Sequence, residues 1–239
     1  MRPILLLTRP EPSSGHFAGL AARECPPHQT LIAPLSQIVP VPFDPAMLDG
    51  AAGVILTSAK AARFLPPCPG LPAWCVGPAT TEAARRAGFD SRNGGGDAAA
   101  LIDTLMAQNP AGRLVHAQGR HLARDIAAAL EPAGLTITAL PVYEARALDW
   151  PPRILTALKS AQRVVVPLFS PRTARRFVQS LGPVRPADLR IVAISAACAA
   201  QLPRDLQART VTAARPDAPA MLAQVASELS QASPGPLRV

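Results

Sequence analysis

Short apolar runs recur along this chain, each followed by a stretch whose apolar positions fall three and four residues apart. Pro3–Leu7 is a continuous apolar run that stops at Thr8-Arg9-Pro10. Leu31–Ala33, Gly53–Leu56, Trp74–Val76, Arg113–His116, Leu135–Ala139, Val164–Phe169 and Arg190–Ile194 read as further strands, with a weak one at Val211. Runs without alternation suit strands covered on both faces, as parallel sheets require. The intervening segments predict helices. The first is capped by Ser13 or Ser14, with Phe17, Leu20 and Ala21 inward; the next runs from Lys60 to Leu65. Thr80 caps a helix over Thr81–Ala87 that Gly88 ends, and Asp97 caps one burying Leu101, Ile102 and Leu105. Helices follow around Leu122, Ile126 and Leu130, around Ile154, Leu155 and Leu158, and around Ala174, Phe177, Val178 and Leu181. A short one covers Ser195–Gln201, and Asp217 caps the last, which buries Met221, Leu222, Val225 and Leu229. The alternation predicts an α/β fold of parallel sheets flanked by helices.

Two extended stretches stand apart. Leu140–Leu148 alternates apolar and polar positions and holds the one tyrosine of the chain, Tyr143; Ile38–Phe43 is proline-rich and suits an edge ribbon. Each follows a strand-helix-strand unit and precedes a longer α/β unit, and three features recur in order within the longer units. Ser58–Arg63 parallels Ser170–Arg175, Val76–Thr80 parallels Ile194–Cys198, and Asp97–Leu101 parallels Asp217–Met221. We read this as an internal duplication giving two similar lobes, crossed twice by the chain, with Tyr143 where a cleft between them would be. The pattern does not say which strand-helix-strand unit packs with which longer unit.

Composition adds limits. At 239 residues, 49% hydrophobic and 17% charged, the chain has material for one large or two modest cores and no signature of disorder. The net charge of +8 suits an acidic ligand, or an arginine bias spread over helix surfaces. No basic cluster interleaved with aromatics points to nucleic acid. No apolar run is long enough to span a bilayer, and Ile4–Leu7 is too short for a signal peptide. Cys25, Cys68, Cys75 and Cys198 form no Cys-x-x-Cys pair and read as reduced thiols of a cytoplasmic protein.

In open α/β sheets, ligands gather beyond the C-terminal ends of the strands. This chain places Thr8-Arg9, Thr57-Ser58, Gly77, Thr80, Gln118-Gly119-Arg120, Ser170 and Ser195 there. Any single Ser or Thr at such a place is an ordinary helix cap. As a set they form a polar rim suited to carboxylate or phosphate groups. Gly94-x-Gly96-x-x-Ala99 fits a loose dinucleotide fingerprint, but Asp90–Asn93 before it is too polar for a buried strand, so it reads as a turn. His16, His28, His116 and His121 lack metal-ligand spacing. Neither a metal nor a cofactor motif nor a nucleophile dyad emerges. Catalysis would rest on anion binding and one acid, with Tyr143 the available phenol; Tyr143 packed between lobes is an equal reading.

The motifs Leu7-Thr8-Arg9-Pro10, Leu56–Ala61, Cys75–Thr80, Gly96-Asp97-Ala98, Gln118-Gly119-Arg120, Pro141-Val142-Tyr143 and Phe169-Ser170-Pro171 together resemble the uroporphyrinogen-III synthase family. The resemblance implies two α/β lobes, each a parallel sheet flanked by helices, joined by a two-stranded β-ladder hinge with the active-site cleft between them. Lobe one is then residues 1–35 and 150–239, lobe two 44–138, and the ladder 36–43 with 139–149. The implied reaction closes hydroxymethylbilane to uroporphyrinogen III with loss of water and inversion of the last pyrrole ring, without metal or cofactor. The chain would be a cytoplasmic, monomeric lyase, its substrate handed over by hydroxymethylbilane synthase. Tyr143 falls on the family tyrosine that helps the hydroxyl leave. Thr8, Arg9, Ser58, Lys60, Gly77, Thr80, Gly119, Arg120, Ser170 and Ser195 are the expected substrate contacts. Ile194–Cys198 departs from the family pattern, lacking its glycine and threonines, so Ser195 and backbone amides would substitute. The alternative is a non-catalytic bilobal protein that binds small anions.

Overall fold

The computed structural model describes residues 2–120 and 126–231. In chain order they form β1 (Ile4–Leu7), α1 (Ser13–Glu24), β2 (Gln29–Ile32), β3 (Ser36–Pro40), β4 (Gly53–Leu56), α2 (Ala59–Ala62), β5 (Pro72–Cys75), α3 (Pro78–Arg86), β6 (Asp90–Asn93) and α4 (Ala98–Gln108). Then follow β7 (Leu114–Gly119), α5 (Ile126–Leu130), β8 (Ile137–Ala147), α6 (Pro152–Ser160), β9 (Arg163–Leu168) and α7 (Pro171–Leu181). The chain continues through β10 (Asp188–Ala193), α8 (Ala196–Ala199), α9 (Arg204–Gln207), β11 (Thr210–Thr212) and α10 (Ala218–Ser230).

Two compact units result, one from residues 1–37 with 147–239 and the other from residues 38–146. The first is built on a parallel sheet in the order β11-β10-β9-β1-β2. Its central strands read as unbroken apolar runs because alternate side chains enter different cores. Ile4, Leu6, Val164, Val166 and Leu168 pack under Phe177 and Leu181 of α7, while Leu5, Leu7 and Val165 pack against Phe17 of α1 and Met221, Leu222 and Val225 of α10.

The second unit has the order β3-β8-β7-β4-β5-β6. Val54 and Leu56 of β4 join Ala61, Ala84 and Phe89 on one face, and Ile55 joins Leu101, Leu105 and Leu130 on the other. β4, β5, β6, β7 and β8 run parallel. β3 lies along the outer side of β8, and the bonds Val41 N–H to Val142 O (3.0 Å) and Leu148 N–H to Leu35 O (3.0 Å) make that pair antiparallel.

Several boundaries differ from the sequence reading. Asp90–Asn93, too polar for a buried strand, is nonetheless β6. It is an edge strand whose residues are exposed or half-buried, and it needs only its ladder with β5. The glycine turn after it is tied to β5, with Gly94 N–H donating to Cys75 O (2.7 Å) and Gly96 N–H to Val76 O (2.8 Å). Neither Ser13 nor Ser14 caps α1; Pro12 is its N-cap, and Ser14 Oγ donates to Arg9 O instead. Thr80 is not a cap either. Gly77 caps α3, Pro78 supplies its first turn, and Thr80 is buried inside that turn. β7 continues past His116 to Gly119. His121 and Leu122 lie outside the described residues.

Candidate functional site

Both sheets carry the expected rim residues at the C-terminal ends of their strands. In the first unit these are Thr8 and Arg9 after β1, Ser170 after β9 and Ser195 after β10, on three adjacent strands. Thr8 lies beneath the rim: it is 1% exposed, and its Oγ1 has no hydrogen-bond partner among the described residues. Arg9 is half-buried, with its guanidinium 4.4 Å from the centroid of the Phe169 ring. Phe169 in turn meets Phe17 edge-on at 5.3 Å, so the aromatic support is itself anchored in the core. Burial lowers the Arg9 pKa from its ordinary value, though a guanidinium remains a cation at neutral pH. Ser170 Oγ accepts the Thr173 N–H (3.1 Å) and pairs with Thr173 Oγ1 (2.8 Å), and Ser195 Oγ accepts the Cys198 N–H (3.3 Å). Both hydroxyls are helix caps.

In the second unit Ser58 and Lys60 follow β4, Gly77 and Thr80 follow β5, Gly119 and Arg120 end β7, and Tyr143 lies in β8. Ser58 Oγ caps α2 by accepting the Lys60 N–H (3.3 Å). Beside it, Thr57 Oγ1 lies 3.3 Å from His116 Nε2. Arg120 Nε sits 3.6 Å from Glu144 Oε2, and Glu144 also pairs with Arg146 at 3.1 Å. Both arginine side chains are more than half exposed, so these pairs are worth about 0–1 kcal/mol and exchange readily for another carboxylate.

A β-bulge delivers Tyr143. Gln118 faces Pro141 across the ladder, but Gly119 faces Tyr143, so Val142 is the extra residue on β8. In a regular strand Val142 and Tyr143 would point to opposite faces. Here Leu140, Val142 and Tyr143 all pack on the cluster that holds Leu56 and Ala117. The strict alternation read from the sequence ends at this point. The half-buried Tyr143 ring stacks on Phe64, with centroids 6.0 Å apart and planes at 27°, and the Arg120 N–H donates to Tyr143 O (2.9 Å).

The structure therefore gathers the expected residues into two sets, Thr8, Arg9, Ser170 and Ser195 in one unit and the other seven in the second. Sequence reasoning missed Phe64 and Glu144. It noted Phe169 only as the end of a strand and as part of a motif, although an aromatic residue directly before a strand-end serine was the available signal. Among the described residues there is no group of three or more His, Cys, Asp or Glu able to hold a metal ion.

The family model described as uroporphyrinogen-III synthase HemD matches residues 26–223. The chain belongs to this family. Every expected site residue from Ser58 to Ser195 lies inside the matched span of the uroporphyrinogen-III synthase model, while Thr8 and Arg9 precede it. The fold is that of the uroporphyrinogen-III synthetase of Helicobacter pylori 26695, with a TM-score of 0.64 at 15% identity over 95% of this chain and 99% of that one. A mutant uroporphyrinogen-III synthase of the extremely thermophilic bacterium Thermus thermophilus gives a TM-score of 0.53 at 15% identity, over 95% of this chain and 98% of that one. At such identity the likeness to these synthases speaks for the fold. No curated protein matches the sequence.

Proposed function

We propose that this protein is a uroporphyrinogen-III synthase, a lyase of tetrapyrrole biosynthesis. It closes hydroxymethylbilane to uroporphyrinogen III, with loss of the terminal hydroxyl as water and inversion of the last pyrrole ring. The observation that carries this reading is the family match across residues 26–223. The geometry supports it. The substrate carries acetate and propionate arms on every ring, and each unit has a rim favourable to carboxylates: Arg9 and the start of α7 in the first, Lys60, Arg120 and the start of α3 in the second. Many weak anchors along a flexible polyanion restrict it to one folded conformation, in which the terminal ring attacks at its substituted carbon. The Tyr143 phenol, held by the bulge and the Phe64 stack, donates its proton to the departing hydroxyl.

We also place the protein in the cytoplasm as a monomer that receives its substrate from hydroxymethylbilane synthase. Its four free cysteines suit a reducing compartment, and none of its described helices is long and apolar enough to cross a membrane. The test is to supply enzymatically made hydroxymethylbilane and resolve the porphyrin isomers after oxidation. Uroporphyrin III is expected to dominate. If only the type I isomer of the uncatalysed closure forms, the protein is a non-catalytic anion binder and the proposal is lost.

A further inference from the structure

Gly119 is one of the expected substrate contacts, yet its surroundings give it a different task. It is buried at the end of β7, opposite Tyr143 across the bulge. A Cβ built on Gly119 would lie 2.9 Å from both Cε2 and Cζ of the Tyr143 ring and 3.1 Å from its Oη. Those atoms belong to the phenol end of the ring, not to its root at the backbone. The φ of Gly119 lies outside the left-handed region, so backbone conformation does not require glycine here. The constraint is the close approach of the tyrosine. We infer that Gly119 is a positioning residue for Tyr143: the missing side chain is the seat of the phenol, and Phe64 holds the ring there.

Three contacts then fix the tyrosine independently. The Arg120 N–H holds its carbonyl, the Phe64 ring stacks on its ring, and the bare Cα of Gly119 leaves room for its Cε2–Cζ–Oη edge. Any side chain at residue 119 pushes the hydroxyl off this position while leaving β7 and β8 paired. The inference rests on the reading of Tyr143 as the proton donor. A catalytic group displaced by about an ångström loses up to about a hundredfold in rate.

The test uses the full chain with Gly119→Ala, Tyr143→Leu and the double variant. Leucine lacks the three atoms that the new methyl would strike, so it removes the conflict. Because Tyr143 is the sole tyrosine, its ring proton resonances identify it without ambiguity. Gly119→Ala is expected to move those resonances and to lower kcat about tenfold or more, with KM within about twofold. In the Tyr143→Leu background it is expected to cost nothing further. Unmoved ring resonances, an unchanged kcat, or an equal loss in both backgrounds would each overturn the inference, and so would a raised KM at constant kcat. Should Gly119→Ala fail to fold, the double variant with Tyr143→Leu is expected to fold, since leucine removes the atoms the new methyl would strike, and its failure to fold would overturn the inference. If Tyr143→Leu turns over at the wild-type rate, the proton-donor reading fails, whereas the ring displacement in Gly119→Ala remains separately visible.

Discussion

At the scale of single residues, the proposed chemistry turns on Tyr143 as the proton donor and on the contacts with Phe64, Arg120 and Gly119 that hold it. Tyr143→Phe keeps the ring, the Phe64 stack and the strand, and deletes one hydroxyl. Single-turnover measurement is expected to show closure slowed about tenfold to a hundredfold, with product affinity unchanged. A wild-type rate would make Tyr143 a packing residue. The cysteines behave as their burial dictates. Burial pushes the Cys75 thiol up to about 11, well beyond any useful thiolate population at neutral pH, and it raises Cys198 too. A thiol reagent at neutral pH is expected to modify only the half-buried Cys25 and Cys68 in the folded protein, and all four after denaturation; rapid native labelling of Cys75 would contradict this. The serines were legible as candidates because their place at strand ends is a local property, and Tyr143 because it is the one tyrosine of the chain and lies in an extended stretch. Phe64 was not, because its contact with Tyr143 joins residues far apart in the chain.

At the scale of elements, the clearest constraint is the anchoring of α10 to the first sheet. Arg163, 3% exposed at the start of β9, donates from Nε to Asp188 Oδ2 at 2.6 Å and from its terminal nitrogen to the carbonyls of Glu228 and Gln231. Asp188 also pairs with Arg190 at 2.8 Å. One arginine thus ties two strands to the orphan carbonyls that end α10. Asp188→Ala leaves buried cationic charge without its carboxylate and is expected to destabilise the fold by about 3 to 5 kcal/mol. Glu82→Ala, which breaks only the exposed Arg85 and Arg86 pairs of α3, is expected to cost under about 1 kcal/mol. Denaturant melts of the two variants check the contrast, and equal losses would refute it. The sequence pattern begins this strand at Val164 and gives Arg163 no part in it. Its partners Asp188, Glu228 and Gln231 lie 25, 65 and 68 residues away, beyond the reach of any local pattern.

At the scale of the whole molecule, the net charge of +8 and the carboxylate-rich substrate make association sensitive to salt. Raising salt to about 1 M, where the screening length is about 3 Å, is expected to lower kcat/KM severalfold, mainly through KM. A flat salt profile would mean that the excess arginines are spread over helix surfaces and that binding rests on short-range contacts alone. The arrangement of the chain also belongs to this scale. The first unit takes both ends of the chain and the second takes the middle, with crossings between residues 37 and 38 and between 146 and 147. Trp150 secures the returning segment within the first unit, its indole N–H donating to Ala33 O at 2.9 Å and its ring meeting Phe177.

The amino-acid sequence by itself determined the alternation of buried strands and helices, hence the parallel α/β class, because a strand covered on both faces must be apolar throughout. It also marked the polar strand ends, because helix starts there need polar caps. It could not determine that β1 pairs with β9, or that β6 is a strand at all. Pairing partners are chosen by packing across long separations, and an edge strand needs no apolar signature. The bulge at Val142, and with it the direction of Tyr143, is likewise a property of the ladder and not of the segment. The reason for glycine at residue 119 became visible only once the ladder set that residue against the phenol.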